Sequence, residues 1–359
     1  MGGFANKGFS SIGPATDRAA GPLALDIREY RDDDEAAVLN LLDKTLGPGP
    51  LGVRPPAFFR WKHLANPFGR SLMLVAEHEG RIAGLRAFMR WGFTASGAPV
   101  AAVSAVDTAT DPAYQGHGVF TALTRAALEV LHDEADLVFN TPNAKSLAGY
   151  LKMGWQEVGR VPVLVRVIRP AALAASLGRG RRGASPPAPH RPVSARSAAE
   201  VTRAEAAAIE ELLADRATED RLSTRRDPAY LRWRYGDAPL LDYRAVTEHR
   251  DGRLVGIAFF RVRPRGGLWE ASVADLIVRP GDVAAGRSLL RRIRRSAGAD
   301  HLSCLFASGS TARRAALRSG FVRAPGGITL AARPLREGLR PDPLQMGSWA
   351  FTLGDLEVF

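Results

Sequence analysis

The chain has 359 residues, 46% of them hydrophobic and 24% charged, with a formal net charge of +12 at pH 7. That length makes two domains the default, each large enough to bury its own core, and the composition is that of a soluble globular protein. No run of about 18 apolar residues exists, which excludes a spanning helix, and the one cysteine, Cys304, excludes an intramolecular disulfide.

A single thiol fits a reducing, cytoplasmic setting. Cys304 sits in the apolar-flanked run Leu302-Ser303-Cys304-Leu305-Phe306 and reads as a buried strand residue rather than a nucleophile. The positive charge is carried mainly by scattered arginines, and no basic stripe is interleaved with aromatics, so nucleic acid is not the expected partner. Residues 1–24 lack an apolar h-region and read as a flexible leader.

Leu25 to Tyr30 reads as a strand. Asp32 to Leu46 has acids in its first turn and Val38, Leu41 and Leu42 on one face, so it reads as a helix, broken by Gly47-Pro48-Gly49-Pro50. Pro56 to Leu64 is a second short helix. Leu72 to Glu77 and Arg81 to Trp91 form a hairpin turning at His78-Glu79-Gly80. Val100 to Thr110 is the next strand, followed by Asp111-Pro112-Ala113-Tyr114-Gln115-Gly116-His117-Gly118-Val119-Phe120-Thr121 and a helix-patterned run. Leu137-Val138-Phe139 is a strand, Asn143 to Tyr150 a helix, and Val163 to Ile168 a strand closing a first unit, 25–170. Residues 171–200 are a basic Pro/Ala/Arg linker. A second unit spans 201–335, and a tail spans 336–359, with Trp349 to Phe359 reading as a terminal strand.

The second half repeats the first. Pro56-Ala57-Phe58-Phe59-Arg60-Trp61-Lys62 recurs as Pro228-Ala229-Tyr230-Leu231-Arg232-Trp233-Arg234, and Gly80-Arg81-Ile82-Ala83-Gly84 recurs as Gly252-Arg253-Leu254-Val255-Gly256. With a small deletion the match continues through Asp107 and Asp275, Pro112 and Pro280, Gly118 and Gly286, and Gly154 and Gly320. The copies differ where chemistry is expected. Gln115-Gly116 faces Val283-Ala284, Asn143 faces Gly309, and Tyr150 faces Ala316. The first copy therefore reads as the working one and the second as a wall of the cleft.

Gly116 and Gly118 lack Cβ, so backbone amides there can approach a phosphate closely, and the helix behind them offers free N–H groups and the positive end of its dipole. The loop Gln115-Gly116-His117-Gly118-Val119-Phe120, with Asn143, Tyr150, Gly154 and Trp155 in order after it, resembles the GNAT superfamily of acyl-CoA-dependent N-acetyltransferases. Phe120 stands where that family has a small residue, so either its side chain points away from a pyrophosphate or the loop binds differently. Two such units in tandem resemble the group holding the enhanced-intracellular-survival (Eis) type acetyltransferases and mycothiol synthase. The segments Thr108 to Pro112 and Trp61 to Pro67 lean toward the former.

The resemblance implies an α/β (α+β) fold of two tandem GNAT-like units, each a mixed, mostly antiparallel sheet flanked by helices. It implies acetyl-CoA as co-substrate, with pantetheine pairing near Ala109 and Thr110 in the manner of an added strand. The pyrophosphate would lie on the loop from Gln115 through Gly116, His117, Gly118, Val119 and Phe120 to Thr121, with Asn143 and Ser146 also lining the cofactor. Tyr150 would give a proton to the leaving thiolate. Asp107 is one candidate base. The tail is another, through the carboxylate of Phe359 with Asp355 or Glu357, although it also reads as a pin between domains. The histidines show no metal spacing, so no metal is expected. The acceptor would be a small-molecule amine, such as a metabolite, amino sugar or antibiotic-like amine. A homo-oligomer stays open. Two alternatives are a Fem-like transferase using aminoacyl-tRNA and a non-catalytic CoA-binding protein.

Overall fold

A computed structural model describes residues 24–47, 54–178, 191–215 and 219–356. The expected leader up to residue 23, residues 179–190 of the basic linker, and Glu357 and Phe359 lie outside the described residues.

In the first half, β1 (Asp26–Glu29) leads through a 3-10 turn into α1 (Glu35–Leu46), followed by α2 (Pro56–His63), β2 (Leu72–His78), β3 (Arg81–Ala95) and β4 (Ala98–Thr110). Then come α3 (Val119–Glu134), β5 (Leu137–Asn140), α4 (Ala144–Lys152), β6 (Gln156–Val161), β7 (Leu164–Val167) and α5 (Pro170–Gly178). The second half opens with β8 (Arg196–Ser197), α6 (Ala198–Ala204), α7 (Ala206–Ala214), β9 (Ser223–Thr224) and α8 (Pro228–Leu231). It continues with β10 (Tyr243–Arg250), β11 (Arg253–Arg265), β12 (Leu268–Val278), α9 (Val283–Ser296), β13 (His301–Cys304), α10 (Thr311–Arg318), β14 (Val322–Arg323) and β15 (Ile328–Pro334).

These strands build two mixed, mostly antiparallel sheets, as the resemblance implied. One runs β1-β2-β3-β4-β5-β15-β6 and the other β14-β7-β13-β12-β11-β10-β8. The parallel pairs are β4 with β5 and β12 with β13. Helices cover the sheets because their apolar residues recur at helical spacing. On α3, Leu123, Ala127 and Leu131 lie four apart and are fully buried.

The halves exchange strands. β7, expected to close the first unit, pairs instead with β13 of the second sheet, and β15 of the second half fills the place between β5 and β6. An apolar strand signal fixes a strand's existence but not the sheet it joins, so the exchange was invisible in the pattern. β9 also pairs with β3 across the halves.

At the centre, Trp61 and Trp233 stack with centroids 5.2 Å apart. Each indole N–H donates to the other residue's carbonyl, at 2.8 and 2.9 Å. The 172-residue repeat thus becomes a pair of equivalent contacts across a local two-fold relation. The tail does not form the expected strand. It makes 3-10 turns at Met346–Ser348 and Leu353–Asp355, with isolated bridges from Trp349 to Leu222 and from Thr352 to Phe306. Trp349 and Phe351 stack on each other and pack on Phe93 and Phe139 of the first sheet. Cys304 is fully buried on β13, where desolvation pushes its thiol pKa up.

Candidate active site

The pairing of β4 with β5 runs from Ala102 opposite Leu137 to Ser104 opposite Phe139 and then stops, while β4 continues to Thr110 beside β3. The edge of β4 through Ala109 and Thr110 therefore carries no β5 partner. β4 also bulges here. Leu85 faces Ala109 and Ala87 faces Val106, so Asp107 and Thr108 stand together opposite Arg86. Asp107 adopts φ +38°, a left-handed conformation that costs a non-glycine residue about 1–2 kcal/mol.

Beyond the bulge lies the glycine loop. Gly116 and Gly118 take φ +83° and +77°, and the space above both is open. Gly118 is the N-cap of α3 and has no side chain to cap it, so the first-turn amides at Val119, Phe120 and Thr121 have no capping group. The Gln115 amide reaches the Thr110 carbonyl at 3.5 Å. His117 is exposed, its Nδ1 3.0 Å from the Gln115 carbonyl. Asp111, one step earlier, is held by Lys44 of α1 at 2.7 Å.

Phe120 turns inward, away from the open loop. Its ring meets Tyr150 edge-on at 5.8 Å and lies against Gly149, where an added Cβ would sit 3.2 Å from the Phe120 ring. The bulky residue is thus accommodated by Gly149, the residue before Tyr150 on α4. Asn143 and Ser146 act at the start of α4. The Asn143 Oδ1 accepts from the Ser146 N–H at 3.0 Å and lies 3.2 Å from its hydroxyl. That cap fixes where α4 begins, and Tyr150 follows on its buried face, 5% exposed.

Sequence reasoning missed Arg86. It lies on β3, fully buried, and its Nη1 donates to the Tyr150 hydroxyl at 3.0 Å and to the Thr108 hydroxyl. Its guanidinium stands 4.4 Å from the Phe88 ring centroid, 5.2 Å from Tyr150 and 5.4 Å from Phe120. Its Nε and Nη2 are buried without a hydrogen-bond partner, and no carboxylate pairs with it among the described residues. Cation–π contacts return about 2 kcal/mol when desolvated, while burying an ion costs several. Local packing alone does not justify this residue. The guanidinium has only donors, so the Tyr150 oxygen accepts from it and its own proton is free to go elsewhere.

Asp107 is already committed. Its Oδ2 accepts from Lys62 Nζ at 2.6 Å and His63 Nε2 at 2.8 Å, with Arg54 at 3.8 Å from Oδ1. Desolvation would raise its pKa, but the Lys62 cation and the His63 hydrogen bond overcome this and hold it well below the usual carboxylate range. A carboxylate so stabilised is a weak base for an ammonium. His63 is fully buried, with Nδ1 2.9 Å from the Ser71 hydroxyl. Asp107 can only accept, so Nε2 carries the proton and Nδ1 accepts from Ser71.

The second copy closes both features. Its loop between strand and helix is four residues, 279–282, against eight in the first, 111–118. Asp282 caps α9 through the Ala285 N–H at 2.9 Å and places a negative charge at the helix start. Gly286, aligned with Gly118 by sequence, lies inside α9, where an added Cβ would be 2.7 Å from Ala315. The splay beyond β13 is bridged by Thr352 of the tail, paired with Phe306. Asp355 does not reach the first copy's site. It is buried against Arg226 at 2.7 Å, and Arg226 also holds Asp275 at 2.6 Å. Phe359 lies outside the described residues. No group of three or more His, Cys, Asp or Glu able to hold a metal occurs among the described residues.

Residues 26–158 match the family model for an acetyltransferase (GNAT) domain. The chain is similar in structure to a GCN5-related N-acetyltransferase from Anabaena variabilis, with a TM-score of 0.60 at 13% identity over 87% of this chain and 73% of that one. A GCN5-related N-acetyltransferase from Kribbella flavida gives 0.56 at 16% identity, over 87% and 71%. Eis1 from Mycobacterium abscessus gives 0.51 at 17%, over 87% and 74%. At these identities the structures speak to the fold. No curated protein sequence matches the chain.

Proposed function

Starting from a chain with a GNAT acetyltransferase domain at residues 26–158, whose family chemistry is acyl transfer, we propose that its first unit moves an acetyl group from acetyl-CoA to a small-molecule amine. The pyrophosphate would lie on the amides from Gly116 to Thr121, which are preorganised and carry no charge of their own. Pantetheine would add to the free edge of β4 at Ala109 and Thr110. The amine, as its free base, would attack the thioester carbonyl, Tyr150 would protonate the departing thiolate as the C–S bond breaks, and the proton lost by the new amide nitrogen would return through solvent to the phenolate. Arg86 would act as a positioning residue, keeping the phenol's proton turned outward and facing the oxygen as it gains negative charge.

The observation that carries this reading is the Tyr150 hydroxyl held 3.0 Å from a fully buried arginine, next to the splay, while the twin splay is bridged by the tail. Asp107 is better suited to hold the bulge than to take the amine's proton, because the Lys62 cation already neutralises it and His63 already donates a hydrogen bond to it.

Tyr150→Phe is expected to lower turnover by about a hundredfold or more, the range of a lost general acid, with CoA affinity nearly unchanged. Thiol release from acetyl-CoA over a panel of amines, with CoA binding by calorimetry, measures both. Unchanged turnover would remove Tyr150 from the reaction, and CoA binding without thiol release for any amine would favour a CoA-binding role.

A further inference from the structure

The second sheet carries a polar cavity that this reaction does not use. Strand register equates the two sheets position by position. On β3, Met89 faces Ser104 and Trp91 faces Ala102, which in turn faces Leu137, and Ser104 faces Phe139. On β11, Arg261 faces Ser272 and Arg263 faces Glu270, which in turn faces His301, and Ser272 faces Ser303. Met89, Trp91, Leu137 and Phe139 thus correspond to Arg261, Arg263, His301 and Ser303. The first face is dry, and Trp349 of the tail packs against its Phe139. The second lines a cavity of about 980 Å³.

The polar groups there satisfy one another only in part, and His301 Nε2 lies 3.8 Å from Glu270 Oε1. Glu270, 2% exposed, takes Arg263 Nε and Arg265 Nη1, both at 3.1 Å. Arg261, 7% exposed, makes no hydrogen bond or ion pair among the described residues, and its guanidinium lies 5.8 Å from the Tyr243 ring centroid. The His301 Nδ1 is buried without a partner. A largely buried cation with no direct hydrogen-bonded partner is costly, and a guanidinium presents a planar fork that suits an oxyanion. Val165, Leu240 and Ile328 give the same cavity an apolar wall.

We propose that this cavity binds a small organic oxyanion, a carboxylate or phosphate on a short apolar body, with the oxyanion on Arg261 and the body on Val165, Leu240 and Ile328. The site goes beyond acyl transfer and does not depend on it.

The test is calorimetric titration of the full chain with sodium hexanoate and, separately, sodium phosphate. Ionic strength is held constant, and each titration is run with and without saturating CoA so that the glycine loop is not counted. Arg261→Met writes the first sheet's own residue into the second, and Arg261→Lys keeps the charge without the fork. The wild type is expected to bind at least one probe at one site per chain. Arg261→Met should weaken it by about tenfold or more, the scale of a lost charge-assisted hydrogen bond, with Arg261→Lys in between and CoA affinity unchanged in both. Preference for hexanoate or phosphate identifies the head group. Binding that survives Arg261→Met undiminished overturns the proposal. So does absence of binding by both probes, and a melting temperature that then falls on Arg261→Met would make Arg261 structural.

Discussion

Arg86 concentrates the cost of the candidate site in one side chain. Its burial is not balanced by a carboxylate among the described residues, so removing it should relieve the fold while harming the reaction. Arg86→Met is expected to raise the melting temperature and lower kcat by about ten- to a hundredfold, the value of a hydrogen bond to a charged group. KM for acetyl-CoA should stay nearly constant, and Arg86→Lys should recover part of kcat. A loss of stability with kcat intact would make Arg86 a packing residue. Gly116, Gly118 and Tyr150 were legible in the sequence because glycine pattern and spacing carry conformational information. Arg86 was not, since an arginine in a strand of an arginine-rich chain looks like a surface residue. The repeat held the one available clue: the equivalent position in the second half is Ala258.

The bulge of β4 and the helix α2 form a unit through Lys62, His63 and Asp107. Asp107→Asn would break the ion pair that joins it to Lys62, which is 3% exposed, and should cost about 3–5 kcal/mol in urea unfolding. A loss under 1 kcal/mol would mean that solvent already reaches the pair. The unit also sets a pH dependence. Burial holds the His63 pKa below its ordinary 6.5, so below that pH the unfolded chain binds a proton that the folded one refuses. Stability should fall as pH drops below about 6.5. Asp107, held low by Lys62 and His63, adds a second loss as pH falls below about 4, where the unfolded carboxyl takes up its proton. In His63→Gln the first of these slopes should flatten, and an identical slope in both proteins would rule His63 out as its source. The helices and the hairpin were readable from periodicity. The bulge was not, because nothing in Val106-Asp107-Thr108 departs from an alternating strand until the register against β3 is known.

Across the whole molecule, the exchange of β7 and β15 and the reciprocal Trp61–Trp233 contact make each half incomplete alone. A fragment covering 1–178 is expected to be insoluble or unfolded by circular dichroism, and co-expression with 179–359 should restore a soluble complex. A well-folded isolated fragment would contradict this. The duplication was legible because its landmarks keep one spacing, whereas the traded strands were not, since pairing is a property of three dimensions. The exchange also orders events during synthesis. β5 leads directly into α4 and Tyr150, and its outer neighbour is β15, which is not complete until residue 334 has been made. A nascent or prematurely terminated polypeptide would thus carry every residue of the glycine loop and still lack the scaffold that holds the phenol in place. Only a polypeptide extended past residue 334 would hold α4 and its phenol in this arrangement.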